Sequence, residues 1–124
     1  MQRLEELPAE PQPSPAASPY QPRELVAGDL VIDTQAHLVQ RGKFPISLTP
    51  TEFQLLVILA RRPGEVIDYV TLVKSSLEYE AEPWEAKELI KHHVFSLRQK
   101  IEPEPSNPRY ILNVRGIGYR LTSP

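Results

Sequence analysis

The spacing of apolar residues divides the chain into segments of different character. From Leu25 onwards the runs ELVAGDLVID, HLVQRG and FPISL alternate apolar and polar positions, and turn residues separate them. Alternation with a period of two is typical of strands that bury one face. The pattern predicts three or four short antiparallel strands that form a small sheet.

The stretch LTPTEFQLLVILARRPGE predicts the first helix. Thr49 and Glu52 have the spacing of a reciprocal capping pair, and Pro50 falls at the first helical position. Apolar residues follow on one face, at positions 53, 55, 56, 59 and 60. Pro63-Gly64 then ends the helix, because proline and glycine both favour termination there.

Two further helices are predicted. Asp68 is placed to cap a short helix through YVTLVKSSL, whose Leu72, Val73 and Leu77 we expect to face inward. The longest helix is WEAKELIKHHVFSLRQKI, which has four apolar residues at helical spacing. These are Ile90, Val94, Leu97 and Ile101. A helical wheel places Glu88, Lys91, His92, Phe95, Ser96 and Gln99 on the opposite side.

The last part of the chain predicts a β-hairpin. RYILNV and GYRLT are strand-like and are joined by Arg115-Gly116-Ile117-Gly118. We interpret both glycines as turn residues that supply positive φ, with Arg115 at the tip. A glycine loop that cradles phosphate would need a helix directly after it. None is predicted there, which argues against a nucleotide site.

The composition is that of an ordinary globular domain, with 40% hydrophobic and 24% charged residues, except for 14 prolines. Six of these prolines lie in the first 23 residues, among few bulky apolar side chains. Residues 1–23 are therefore predicted to be a disordered proline-rich tail or linker, and 24–124 a domain. A proline-rich ligand for a partner's groove is the alternative role for the tail.

The absence of cysteine excludes disulfides and thiolate chemistry and fits a cytoplasmic protein. No apolar run approaches the roughly 20 residues that span a bilayer, so we expect no membrane association.

Charge is distributed unevenly behind a formal net charge of -2. Residues 1–86 carry 7 Lys and Arg against 13 Asp and Glu, a net -6. Residues 87–124 carry 7 Lys and Arg against 3 Glu, a net +4. The last third of the chain is therefore where an anionic partner would bind.

Two motifs carry a family resemblance. LTPTEFQLL at 48–56 and VRGIGYRL at 114–121 resemble the effector domain of the OmpR/PhoB family of response regulators, and VFSLRQKI resembles the end of its recognition helix. The likeness covers about residues 25–122. It implies an α+β winged helix-turn-helix, with an amino-terminal four-stranded antiparallel sheet, a three-helix core and a carboxy-terminal hairpin wing.

The resemblance also implies a function, which is sequence-specific binding of double-stranded DNA for transcriptional regulation. In that family the third helix enters the major groove and the wing lies against the minor groove. Members usually bind direct repeats in tandem and follow a phosphoacceptor receiver domain. We expect the proline-rich start to be an interdomain linker, or another input module to lie upstream.

Nine residues are candidates for DNA contact by this resemblance and by their position. They are Lys91, His92, His93, Phe95, Ser96, Arg98, Asn113, Arg115 and Tyr119. A guanidinium such as that of Arg115 is attracted by the negative potential of a narrow minor groove. Tyr119 has the alternative of packing its ring against the third helix.

The third helix departs from the family at Glu88, Phe95 and Ser96, because the matching positions are commonly basic. A glutamate can accept a hydrogen bond from cytosine N4, and a phenylalanine can contact a thymine methyl group. Phe95 can equally be the centre of a protein contact, or a solvated aromatic residue without a partner. The second hypothesis for the whole chain is therefore a winged helix that serves as a protein–protein interaction module.

The acidic link EYEAEP, with Glu78, Glu80 and Glu82, matches the loop through which the resembling family contacts RNA polymerase. A plain solvated loop is the alternative.

Glu88 and His92 have a metal-ligand spacing but lack a third ligand nearby in sequence. The three histidines lack a Ser or Asp arrangement typical of a nucleophile with its base. We predict no enzyme activity, no metal and no cofactor.

Overall fold

A computed structural model describes residues 23–124 of the chain. The predicted tail lies outside the described residues except for Arg23. The Nε atom of Arg23 lies 3.2 Å from the Asp33 carboxylate, and its carbonyl accepts a hydrogen bond from the Thr34 amide at 2.7 Å. The first strand is thus anchored one residue before the expected domain boundary.

The amino-terminal part is a four-stranded antiparallel sheet in the order β1-β2-β3-β4. Its strands are β1 (Glu24–Ala27), β2 (Leu30–Asp33), β3 (Leu38–Arg41) and β4 (Phe44–Ile46). The register aligns Leu25, Ile32 and Val39 on the buried face. This confirms the alternating pattern of the sequence.

Three helices follow, and all three begin within a residue of their predicted starts. They are α1 (Pro50–Ala60), α2 (Tyr69–Leu77) and α3 (Pro83–Ile101). The predicted apolar stripe of α3 is buried together with Ala86. In α2, Leu72 and Val73 are fully buried, whereas Leu77 is only partly so.

The capping pair at the start of α1 is present as predicted. The Thr49 hydroxyl accepts from the Glu52 amide at 3.2 Å, and the Glu52 carboxylate accepts from the Thr49 amide at 2.9 Å. Lys100 Nζ and Ser96 Oγ of α3 also donate to this buried carboxylate, at 2.6 and 2.7 Å. Glu52 therefore joins α1 to α3 as well as capping α1.

Burial of the Glu52 carboxyl group opposes its ionisation, but the hydrogen bonds from Lys100, Ser96 and the Thr49 amide outweigh burial. The pKa of Glu52 is consequently lower than its ordinary value. The charged form is the one that the fold stabilises.

A second sheet of three strands packs beside the helices, in the order β5-β7-β6. It contains β5 (Ile67–Asp68), β6 (Ile111–Val114) and β7 (Gly118–Leu121). The hairpin of β6 and β7 was predicted, whereas β5, which pairs with β7, was not. A strand of two residues is too short to show a period in sequence.

Gly118 corrects one detail of the hairpin prediction. Gly116 has φ of +79°, as a turn glycine should, but Gly118 does not lie in the positive-φ region. A Cβ atom at Gly118 would instead lie 2.8 Å from Asp68 Cα and collide with the Ile67 carbonyl. Glycine is needed there because β5 crosses so close to the backbone of β7.

The segment between α3 and β6 is held by Glu102, which is buried directly after α3. Its carboxylate accepts hydrogen bonds from the backbone amides of Arg109, Tyr110 and Ile111 at 2.7 to 3.1 Å. These bonds fix where the hairpin begins relative to the end of α3.

None of the helices within residues 23–124 combines the length and the apolar composition that a membrane span requires.

Candidate nucleic-acid interface

The β6–β7 hairpin forms the wing. The wing and the outer face of α3 enclose an open groove of about 650 Å³. Its lining combines basic, aromatic and amide side chains from both elements and includes Tyr69 of α2. The lining residues are Tyr69, Lys87, Glu88, Lys91, His92, Phe95, Arg98, Asn113, Arg115, Gly116 and Tyr119. Seven of the nine candidate residues are therefore brought together on one surface.

The contribution of α3 follows from its helical periodicity. Glu88, Lys91, His92 and Phe95 recur three or four residues apart and so share one face. The opposite face is buried in the core. Phe95 keeps 63% of its surface exposed among the charged side chains that line the groove, so its ring is accessible to a ligand.

The wing tip is a tight turn that holds Arg115 towards the groove. The Ile117 amide donates to the Val114 carbonyl at 2.9 Å and closes the turn. Gly116 occupies the left-handed position that this turn requires. Arg115 and Asn113 are exposed, and neither side chain forms a hydrogen bond or ion pair with any residue in the described range.

Arg98 bridges α3 and the wing at the floor of the groove. Its Nη2 and Nε atoms donate to the Ile111 carbonyl at 2.8 and 3.2 Å. Its guanidinium also lies 5.6 Å from the centre of the Tyr119 ring. Arg98 thus fixes the wing against the helix with a fork-shaped donor and a cation–π contact.

Tyr119 packs its ring beneath Arg98, so the packing role considered for it is observed. The ring is buried and meets Tyr69 edge to face, with centroids 5.8 Å apart. Burial raises the pKa of Tyr119, and the nearby Arg98 charge offsets this only in part. The phenol therefore remains neutral at physiological pH.

His93 and Ser96 do not line the groove. The helical wheel placed Ser96 on the outer face, and this placement is wrong because the Ser96 hydroxyl is directed to Glu52 of α1. His93 is half-buried beside His92. Burial, reinforced by the His92 charge, lowers the pKa of His93.

The groove is positively charged although the chain as a whole is not. Lys87, Lys91, Arg98 and Arg115 give four formal positive charges against the one negative charge of Glu88. Lys87 was not among the sequence candidates. Its position four residues before Lys91, on the same helical face, is the signal that identifies it.

The acidic loop between α2 and α3 lies apart from the groove. Glu78 ends α2 with φ of +55°. Glu80 forms an exposed ion pair with Lys74 at 3.4 Å. The hydroxyl of Tyr79 donates a hydrogen bond to the carboxylate of Glu85 at 2.9 Å. Trp84, which precedes Glu85 in the chain, is 72% exposed. The loop thus presents aromatic and acidic groups together.

A metal site is not formed by the described part of the chain, where no three His, Cys, Asp or Glu side chains cluster suitably. Among residues 23–124, Glu88 and His92 therefore have no third ligand near them.

An amino-terminal sheet, three helices and a wing beside the third helix define a winged helix-turn-helix domain. The family model described as "Transcriptional regulatory protein, C terminal" matches residues 43–121. The chain belongs to this family, the OmpR/PhoB type, as its two motifs indicated.

Individual relatives agree with this assignment. The DNA-binding response regulator MtrA of Mycolicibacterium smegmatis is 39% identical over 125 residues, which cover 86% of this chain and 54% of MtrA. The chain thus spans about half the length of the curated relatives that it matches.

Solved structures agree as well. The response regulator DrrB, a Thermotoga maritima OmpR/PhoB homolog, has a TM-score of 0.71 and 30% identity, over 81% of this chain and 44% of DrrB. The DNA-binding domain of AdeR, in complex with an intercistronic region, has a TM-score of 0.68 and 29% identity. That match covers 80% of this chain and 99% of the AdeR domain.

Proposed function

We propose that this chain binds double-stranded DNA in a sequence-specific manner and thereby regulates transcription. The observation that carries the proposal is the shared groove, on which the outer face of α3 and Arg115 of the wing converge. A helix fits the major groove of B-DNA, which is about 12 Å wide. With α3 in the major groove, the wing tip would place Arg115 at the adjacent minor groove.

The charges of the groove suit the phosphate backbone. Lys87, Lys91 and Arg115 have no ion-pair partner among the residues described, so their charges are available to a polyanion. Neutralising about five phosphates would make log affinity fall against log salt with a slope of about -4 to -5. The complex that the related AdeR domain forms with an intercistronic region supports this function.

A selection experiment tests the proposal. The chain is incubated with random double-stranded oligonucleotides at two salt concentrations, and bound duplexes are recovered by gel shift and sequenced. We expect one motif to be enriched at both concentrations, with weaker retention at the higher one. Recovery of unchanged random sequence would contradict sequence-specific binding.

We propose that the acidic loop contacts RNA polymerase. Glu78, Glu80 and Glu82 are exposed and do not line the groove, so they remain accessible when α3 is on DNA. Acidic groups there suit a basic protein surface. Replacing the three glutamates with alanine should leave DNA affinity unchanged and lower transcription in vitro. Unchanged transcription would contradict the contact.

Binding in tandem to direct-repeat DNA is a further proposal, which rests on the OmpR/PhoB family membership. It predicts that a duplex with two selected sites in direct repeat binds two chains more tightly than two separate single-site duplexes do. Equal affinity per site, measured by gel shift, would contradict it.

A second candidate function is a protein–protein interaction module, which the exposure of Phe95 at 63% favours. In that case Phe95→Asp would abolish binding to the partner, whereas Arg115→Ala would have no effect on any DNA interaction. For the DNA-binding function, Arg115→Ala weakens the DNA complex. The two variants therefore separate the two functions.

A further inference from the structure

Glu88 and Phe95 lie on the outer face of α3 and line the same groove. They are seven residues apart, almost two helical turns, so their side chains project in nearly the same direction. The Glu88 carboxylate forms no salt bridge or hydrogen bond with the residues from 23 onwards, and Phe95 is exposed. Both side chains are therefore available to a ligand that enters the groove.

The charge of Glu88 restricts what that ligand can present. Phosphate groups repel the Glu88 carboxylate. A carboxylate is nevertheless tolerated on a surface that faces DNA if it accepts a hydrogen bond from a base. In the major groove, guanine and thymine present acceptor oxygens that repel it. Adenine presents an amino donor, but its N7 acceptor lies beside that donor and repels a carboxylate. Cytosine presents only its N4 amino donor in the major groove. Cytosine is therefore the base that suits Glu88.

Phe95 carries no donor or acceptor, so it can read only an apolar feature. The thymine methyl group is the apolar feature of the major groove. The basic side chains around Phe95, including Lys91 and Arg98, would hold the ring against the nucleic acid. Methyl contact would also bury part of an aromatic ring that water otherwise surrounds.

On the basis of the proposed DNA-binding function, we propose that Glu88 and Phe95 are specificity-determining residues, with Glu88 selecting cytosine and Phe95 selecting thymine. Seven residues of helix extend about 10.5 Å. Base pairs follow one another about every 3.4 Å. The two selected bases should therefore be no more than about three base steps apart in the target site, because α3 follows the major groove, which is inclined to the DNA axis.

The test of Glu88 compares the motifs that the chain and its Glu88→Gln variant select from random duplexes. We expect the unmodified chain to prefer cytosine at one position by about tenfold. The variant should prefer adenine at that position, because glutamine pairs with adenine N6 and N7. The exposed Glu104, outside the groove, supplies the control Glu104→Gln, which should select the original motif. Identical motifs for the Glu88→Gln variant and the unmodified chain would overturn the role of Glu88.

The test of Phe95 removes the methyl group from the DNA. Each thymine of the selected site is replaced in turn with deoxyuridine, and affinity is measured by fluorescence anisotropy. At one position the unmodified chain should lose about fourfold in affinity, while Phe95→Ala should bind both duplexes equally. An equal loss in the variant, or no loss in the unmodified chain, would overturn the role of Phe95.

These experiments separate the two levels of the proposal. Salt-dependent DNA binding without the cytosine and thymine preferences would overturn base selection by Glu88 and Phe95 and leave the DNA-binding function in place. Absence of binding to every duplex would overturn both. Circular dichroism spectra that match those of the unmodified chain establish that each variant is folded.

Discussion

Arg98 of α3 donates two hydrogen bonds to the carbonyl oxygen of Ile111, the first residue of the wing. The distances are 2.8 Å from Nη2 and 3.2 Å from Nε, and the same guanidinium covers the Tyr119 ring. Arg98, which the sequence predicts to contact DNA, thus also connects α3 to the wing. The position of Arg115 relative to α3 depends on this contact.

Replacing Arg98 with lysine tests the structural role of this contact. Lysine keeps the positive charge but lacks the planar fork, so it cannot reproduce the paired hydrogen bonds to Ile111. We expect the free energy of unfolding to fall by about 1.5 kcal/mol in urea titrations, since hydrogen bonds to charged groups contribute about 1.5 to 3 kcal/mol. A lysine variant with the stability of the unmodified chain would show that the bridge is not structural.

Gly118 and Gly116 form a matched pair for testing the close approach of β5. Gly116→Ala places a Cβ atom in open space but at positive φ, and should cost roughly 1 kcal/mol of folding stability. Gly118→Ala forces a Cβ atom into the backbone of Ile67 and Asp68, and should cost more than about 3 kcal/mol. Thermal or urea unfolding of both variants measures the difference. Equal costs would contradict the described contact of β5 with β7.

Glu52 should make the stability of the fold depend on acid pH. Its pKa is lower in the folded state than its ordinary value of 4.5, so its charged form contributes stability above that pH. This contribution is lost as the pH falls through the folded pKa. Glu52→Gln keeps an acceptor for the Thr49 amide but removes the charge.

The free energies of unfolding of the unmodified chain and of Glu52→Gln should therefore differ most near pH 7. The difference should shrink as the pH falls below about 4.5, because the carboxyl group then becomes protonated. Urea titrations between pH 3 and pH 7 measure this convergence. A difference that stays constant with pH would show that the charge of Glu52 does not contribute.

Local signals were sufficient to predict most of the fold. The capping pair Thr49 and Glu52, and the alternation of the first strands, each determine an element through neighbours in sequence. The contacts that determine the geometry of the groove connect distant residues, as in Arg98 with Ile111 and Gly118 with Ile67. No local pattern encodes these contacts, so β5 was missed and Gly118 was misread as a turn residue.

The candidate interface was predictable to the extent that helical periodicity determines which side chains share a face. Lys91, His92 and Phe95 followed from that periodicity, and Arg115 followed from its place at a predicted turn. The predicted position of Ser96 on the outer face of α3 was wrong because a helical wheel takes account only of the apolar stripe. Glu52 of α1 provides a polar partner for Ser96 on a flank of α3. The DNA contacts themselves remain predictions.

The salt dependence of DNA affinity tests most directly whether α3 and the wing bind DNA as one surface. Arg115→Ala removes the wing charge from the groove, and Lys43→Ala removes an exposed charge from the β3–β4 turn as the matched control. On the selected duplex, the plot of log affinity against log salt should have a slope of about -4 to -5 for the unmodified chain and for Lys43→Ala. For Arg115→Ala the slope should be shallower by about one. Affinity that does not change with salt, or an Arg115→Ala slope equal to that of the unmodified chain, would contradict the shared surface.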